Sequence, residues 1–213
     1  MKVGIFALQG AFREHAEACA ALGADVTLVK RPEHLAAVDA VILPGGESTT
    51  QEKLLESSGL RDPLARALTD GMPCLATCAG VILLARTVAD GRADQQPLGV
   101  LDLDVRRNGY GRQVDSFEAD LAVAHLPGGP FHGVFIRAPR IERVGASVEV
   151  LAEREGDPVL VRSGACVGAT FHPELAGDMR IHETFLRGEA PAERLLADTV
   201  VQRGRSEGRP TGP

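Results

Sequence analysis

Pro73-Cys74-Leu75-Ala76-Thr77-Cys78-Ala79-Gly80, continued by Val81-Ile82-Leu83-Leu84-Ala85, is the stretch on which the fold turns. Proline opens a short apolar run that predicts a buried strand. A turn of small and polar residues follows, and the second apolar run predicts a helix. A strand that passes directly into a helix lifts the turn residue clear of the sheet and sets it at the helix N-terminus. The dipole and free backbone N–H groups there favour a thiolate and any oxyanion it creates. Cys78 occupies that position, and its neighbours Ala76, Thr77, Ala79 and Gly80 are as small as a crowded elbow requires.

Upstream, the chain alternates strands and helices. Residues 2–7 read as a buried strand and Leu8-Gln9-Gly10 as a turn. The helix after it carries Phe12, Ala16, Cys19 and Leu22 at helical spacing and ends at Gly23. Strands are predicted over 25–29 and 38–43, and helices over 48–56, capped by Ser48 or Thr49, and 61–69. Strands separated by helices imply a parallel sheet covered on both faces. After Pro97 the pattern changes to runs that read as strands, 98–105, 113–122, 133–136, 148–152, 159–162 and 166–170, with little helix between them. These predict a mixed sheet with a small antiparallel extension. Helices are expected over 179–186 and 192–201 and a disordered tail over 203–213, so that 1–202 forms a single domain.

Composition narrows the class. The chain has 213 residues, 44% of them apolar, and a net charge of −6 with no basic cluster, which argues against nucleic acid as a partner. No apolar stretch is long enough to span a membrane, and the N-terminal run is too short for a secretory signal. A soluble cytoplasmic protein is expected. Its cysteines, Cys19, Cys74, Cys78 and Cys166, should then be reduced, and their spacing does not suggest a metal site.

Two further segments carry chemistry. Pro44-Gly45-Gly46-Glu47-Ser48 follows a strand and opens a helix, so its glycines allow backbone N–H groups to approach a ligand. It lacks the Gly-Lys-Ser/Thr ending of a phosphate loop. Alone it is equally an ordinary tight turn. Phe171-His172-Pro173-Glu174 ends an apolar strand and supplies a base with a carboxylate beside it; in an extended segment both side chains would point the same way. A histidine at a strand end is commonly structural, but cysteine, histidine and glutamate in these settings together suggest acyl transfer through a thioester. His15, His34, His125, His132 and His182 have no such partner and read as surface or partner-facing.

Together these motifs resemble the class I, triad-type glutamine amidotransferases, with their flavodoxin-like three-layer fold. Three more segments, Leu8–His15, Arg107–Glu118 and Phe135–Pro139, resemble more narrowly the glutaminase subunits of the pyridoxal 5′-phosphate synthase complex. The resemblance covers roughly residues 2–188. It implies that Cys78 attacks the side-chain amide of L-glutamine, that His172 moves the protons and that Glu174 orients His172. Backbone N–H groups of Gly45, Gly46 and Ala79 would form the oxyanion hole. Gly46, Glu47, Ser48, Arg107, Ile136 and Arg137 would bind glutamine, and no cofactor or metal would be needed. The ammonia would pass, within a large hetero-oligomer, to a synthase subunit that builds pyridoxal 5′-phosphate from a pentose phosphate and a triose phosphate. Gln9, Arg13, Glu14 and His15 form the candidate docking and activation surface; the plainer reading of that segment is a polar helix face. Ala7, Ala76 and Gly109 depart from the family pattern without removing a catalytic group.

Overall fold

Side chains that alternate between two buried faces build the central sheet. β1 (Lys2–Phe6) sends Val3 and Ile5 to one core and Phe6 to the other, and β3 (Ala40–Leu43) sends Ala40 and Ile42 one way and Val41 and Leu43 the other. Strands buried on both faces belong in a parallel sheet between helical layers. The computed structural model describes residues 1–92, 94–110 and 116–188, and in it β1 pairs in parallel with β2 (Asp25–Val29) and β3. β4 (Cys74–Thr77) lies parallel between β3 and β12 (Cys166–Ala169). β11 (Asp157–Ser163) and β10 (Glu149–Arg154) then add antiparallel, giving the order β10-β11-β12-β4-β3-β1-β2.

The helices divide between the two faces. α1 (Phe12–Ala21) and α6 (Arg180–Leu186) pack Cys19, Ile181 and Phe185 against the core that holds Val3 and Ile5. α2 (Pro32–Leu35), α3 (Ser48–Ser57), α4 (Arg61–Thr69) and α5 (Ala79–Leu84) cover the opposite face through Leu35, Leu55, Leu64 and Val81. A small sheet of β5 (Ala85–Val88), β6 (Leu101–Arg106) and β9 (Arg140–Val144) extends that second core. The antiparallel pair β7 (Ser116–Leu121) and β8 (Phe131–Ile136) extends the first, where the Phe117 and Phe135 rings stack 4.5 Å apart. No helix among the described residues is long and apolar enough to cross a membrane.

This is the α/β architecture expected, a mostly parallel sheet between helices with antiparallel additions. The sequence reading passed over α2, β5 and β9. α2 is a single turn started by Pro32, and β5 continues an apolar run whose first part is helical, so neither shows a period of its own. The predicted helix over 192–201 and the tail over 203–213 lie outside the described residues, as do 113–115 of the strand predicted over 113–122.

α5 packs almost directly on β3. A Cβ built on Gly80 would stand 2.3 Å from the Leu43 carbonyl oxygen, which is backbone and unable to rotate away. Gly80→Ala should therefore force the helix off the strand and lower stability by about 1–3 kcal/mol. Urea denaturation measures this; an unchanged midpoint would mean that α5 shifts freely.

Candidate active site

Four of the segments singled out in the sequence end parallel strands on the same edge of the central sheet. Gln9 and Gly10 follow β1, Gly45 to Ser48 follow β3, Cys78 follows β4, and His172 follows β12. The connection leaving β1 leads to β2 on one side and the connection leaving β3 leads to β4 on the other, so Gly10 and Gly45 meet where the strand order reverses. Open α/β sheets bind ligands in the crevice at such a point. The approach is close: a Cβ on Gly10, whose φ is +104°, would overlap the Gly45 carbonyl oxygen at 1.8 Å.

Cys78 is the N-cap of α5 with φ 46° and ψ −103°, a left-handed conformation that is strained for a residue with a Cβ. Its N–H bonds the Ala169 carbonyl at 2.8 Å, and its own carbonyl accepts the Val81 N–H at 3.1 Å. These bonds hold the turn, and the thiol comes within 3.8 Å of the Ile136 carbonyl oxygen. Ala79 opens the helix, so its N–H is among those with no intrahelical acceptor.

His172 is buried, and its N–H bonds the Val134 carbonyl at 2.8 Å. Its Nδ1 lies 2.7 Å from Glu174 Oε1. The pair forms as expected but not on an extended segment: Pro173 starts a 3-10 turn over Pro173–Leu175, because proline suits the first helical position, and this turn brings Glu174 back under the ring. The imidazole and the Cys78 side chain line the same cavity, close enough for the thiol to act on the charge of the ring. Burial opposes charge on the ring, but the hydrogen bonds and charges of Cys78 and Glu174 outweigh it and push the His172 pKa up to about 10. At neutral pH the ring therefore holds its proton beside the sulfur.

Two histidines read as surface or partner-facing are interior. His15 and His182 are both 0% exposed. The helical period places His15 on the inner face of α1, on the same side as Cys19, and His182 on the inner face of α6. His15 Nδ1 is 2.9 Å from His182 Nε2, and His15 Nε2 is 3.1 Å from Thr77 Oγ1 and 3.3 Å from Glu174 Oε2. Burial, then the nearby charges of His182 and His172, hold His15 well below the usual histidine range, and burial lowers His182 to about 4. Both rings are neutral at pH 7, so the contact with Glu174 is not an ion pair. His15 is thus unavailable as a docking residue; Arg13 and Glu14 beside it are exposed.

The glycine loop is held from three sides. The Gly45 carbonyl accepts the Ala11 N–H at 3.0 Å, and the Gly45 N–H donates to Thr77 Oγ1 at 2.9 Å. That second bond occupies the Gly45 N–H, which was expected in the oxyanion hole. The peptide is trans, so the Gly46 N–H points opposite to the anchored carbonyl, away from Ala11, and has no acceptor among the described residues. Gln9, expected on the docking surface, instead clamps the loop by accepting the Glu47 N–H at 2.8 Å. Gln51 Nε2 donates to the Gln9 and Pro44 carbonyls, each at 3.0 Å. Thr77 and Gln51 were given no role at the site in the sequence, and His182 was read as a surface or partner-facing residue. The available signal was a polar residue on the inward side of an amphipathic helix or at a buried strand end.

A cavity of about 270 Å³ opens over the sulfur. Gly46, Glu47, Ser48, Arg107, Ile136 and Arg137, all expected to bind substrate, line it with Cys78 and His172, and Gln9, Ile82 and Asn108 join them. Glu47, rather than Ser48 or Thr49, caps α3, accepting the Thr49 and Thr50 N–H groups. Burial raises its pKa, but the bonds from Thr49 and Thr50 prevail and hold it at about 2. Arg107 reaches Glu47 Oε1 at 2.9 Å. The cavity thus offers a fixed anion, a cation and free backbone donors around a thiol paired with a protonated imidazole. Among the described residues there is no cluster of three or more metal-ligating side chains.

Because Cys78 is the first of the groups that raise the His172 pKa, Cys78→Ala should lower that value from about 10, and Glu174→Gln should also lower it. Imidazole C–H resonances followed through an NMR pH titration measure both. A value that stays near 10 in Cys78→Ala would place the source of the shift elsewhere.

The model of the SNO glutamine amidotransferase family matches residues 5–190. The chain is 51% identical over 186 residues to the pyridoxal 5′-phosphate synthase subunit PdxT of Thermotoga neapolitana, covering 87% of this chain and 98% of that protein. It is 52% identical to the PdxT of Frankia alni, covering 87% and 93%. A crystal structure of a glutamine amidotransferase superposes with a TM-score of 0.82 at 49% identity, covering 87% of this chain and 97% of the other. The glutaminase domain of Trypanosoma brucei CTPS shares the fold at a TM-score of 0.61 and 10% identity, covering 88% and 93%. The strand-end thiol, its imidazole partner and the sheet that aligns them thus sit in a chain that belongs to the SNO glutamine amidotransferase family.

Proposed function

We propose that this chain is the glutaminase subunit of a pyridoxal 5′-phosphate synthase, hydrolysing L-glutamine to L-glutamate and ammonia with Cys78, His172 and Glu174 as its triad. The observation that carries the reading is the His172 ring, bonded to Glu174 on one side and set beside Cys78 in a cavity that presents both Glu47 and Arg107. A free amino acid carries an ammonium and a carboxylate on one carbon. Glu47 complements the first and Arg107 the second.

The thiolate of Cys78 attacks the side-chain amide carbon, and the carbonyl electrons move onto oxygen. The Gly46 and Ala79 N–H groups receive that oxyanion, an effect worth ~3 kcal/mol per donor. His172 gives its proton to the amide nitrogen, the C–N bond breaks and ammonia leaves. A water then loses a proton to His172 and attacks the γ-glutamyl thioester, and the sulfur departs as thiolate, leaving glutamate. Glu174 holds the ring in orientation and stabilises its charged form throughout. Gly45 must lack a side chain because a Cβ there would stand 2.3 Å from His172 Cε1.

The names of the relatives support a synthase partner that consumes the ammonia. Assembly into a large hetero-oligomer, a cytoplasmic setting, a single domain over 1–202, and docking through the exposed Arg13 and Glu14 are parts of the same proposal. Glutamate release from glutamine, with and without the synthase subunit, tests it. Activity is expected with the partner and should vanish in Cys78→Ala; intact glutamine with the partner bound would overturn the reading. Arg107→Ala should raise KM about 10–100-fold, the value of a charge-assisted hydrogen bond, with a smaller change in kcat.

A further inference from the structure

Glu174 has two oxygens, and the triad uses one. Oε1 meets His172, while Oε2 is buried and makes no hydrogen bond among the described residues; His15 Nε2 lies 3.3 Å from it. The same His15 nitrogen lies 3.1 Å from Thr77 Oγ1, the atom that accepts the Gly45 N–H. We propose that His15, fixed by His182 in the form protonated at Nε2, is a positioning residue whose single N–H is shared between Glu174 and Thr77 and so ties the triad to the glycine loop. This rests on reading Cys78, His172 and Glu174 as a triad.

Hydrogen-bond accounting selects the tautomer. An ionised carboxylate only accepts, so the nitrogen facing Glu174 Oε2 must carry hydrogen. His15 Nδ1 is then bare and must accept, which requires hydrogen on His182 Nε2, 2.9 Å away. His182 Nδ1 is left as a buried acceptor without a partner. The opposite assignment lets the Thr77 hydroxyl donate to His15 Nε2, but it turns that lone pair toward the carboxylate and strands a buried N–H on His182, whose ring, unlike a hydroxyl, cannot re-aim its hydrogen by simple rotation. An orphaned donor is the rarer and costlier outcome. Both rings are neutral, which agrees with one proton on each.

The consequence is mechanical. α1 begins just after Ala11, whose N–H anchors the Gly45 carbonyl, and its first turn carries His15. One helix therefore sets the loop peptide that supplies an oxyanion donor and the carboxylate that orients the base. Loss of the His15 N–H should leave glutamine binding at Glu47 and Arg107 intact while loosening both catalytic elements. That is a kcat effect.

The first test needs no variant. In protein labelled with 15N-histidine, long-range 1H–15N spectra at neutral pH should show His15 protonated at Nε2 and bare at Nδ1. Protonation at Nδ1, or at both nitrogens, would overturn the proposal. His15→Leu and His15→Gln then supply assignment and kinetics with the synthase partner present. Leucine should lower kcat about 10–100-fold with KM nearly unchanged, and glutamine, which returns an N–H near the Nε2 position, should recover most of that loss. Equal losses in the two variants, or an unchanged kcat in the leucine variant, would overturn it. If His15→Leu fails to fold, His182→Phe keeps His15 in place: a mixed His15 tautomer with reduced kcat is expected, and an unchanged tautomer with full kcat would overturn the proposal. Wild-type protein that hydrolyses no glutamine would defeat the triad reading, while the tautomer spectra would still decide the placement of the proton.

Discussion

The catalytic edge depends on β4 lying in parallel register between β3 and β12. Thr77 is paired with Ala169, Ala76 with Leu43, and the ladder continues one step further as the Cys78 N–H bonds the Ala169 carbonyl. Once that register is set, three strand ends stop at the same level. The residues beyond them, Gly45, Cys78 and His172, have nowhere to go but over the edge and toward one another. A slip of one residue would turn Thr77 to the opposite face. It would remove the support of Gly45 as well as the geometry of the nucleophile.

The site places its charges by depth. Beneath the sulfur, His15 and His182 are buried and neutral, and the internal carboxylate of Glu174 faces imidazole nitrogens on both sides. At the cavity mouth, Glu47 and Arg107 are half exposed and charged. An ion at the mouth keeps part of its hydration and can exchange Arg107 for a substrate group at modest cost. An ion at depth must be matched by fixed dipoles before folding will tolerate it. Recognition is thus assigned to the wet rim, and proton handling to the dry interior.

Much of this was legible in the sequence. Alternating strands and helices, the elbow at Cys78, the glycine pair and His172 with Glu174 all leave local signatures, because a turn, a helix start and a strand end each constrain the residues near them. What was not legible is contact across the fold. His15 looked like a polar residue at a helix start, and nothing local tells that its side of α1 faces Thr77 and α6. Gln9 reads as a turn residue until β3 arrives beside it. Glu47 and Ser48 compete for the same cap, and the longer carboxylate wins because it reaches both Thr49 and Thr50 N–H groups.

The distance in sequence between Cys78 and His172 has a bearing on the life of the chain before it is folded. β4 is made early and β12 late, and the cysteine acquires its imidazole neighbour only when the two strands pair. Until then it has no base beside it to move its proton. Once they pair, Cys78 is only 6% exposed. Burial and catalytic competence thus arrive in the same event, so the thiol meets its base only where the fold already controls what can reach it.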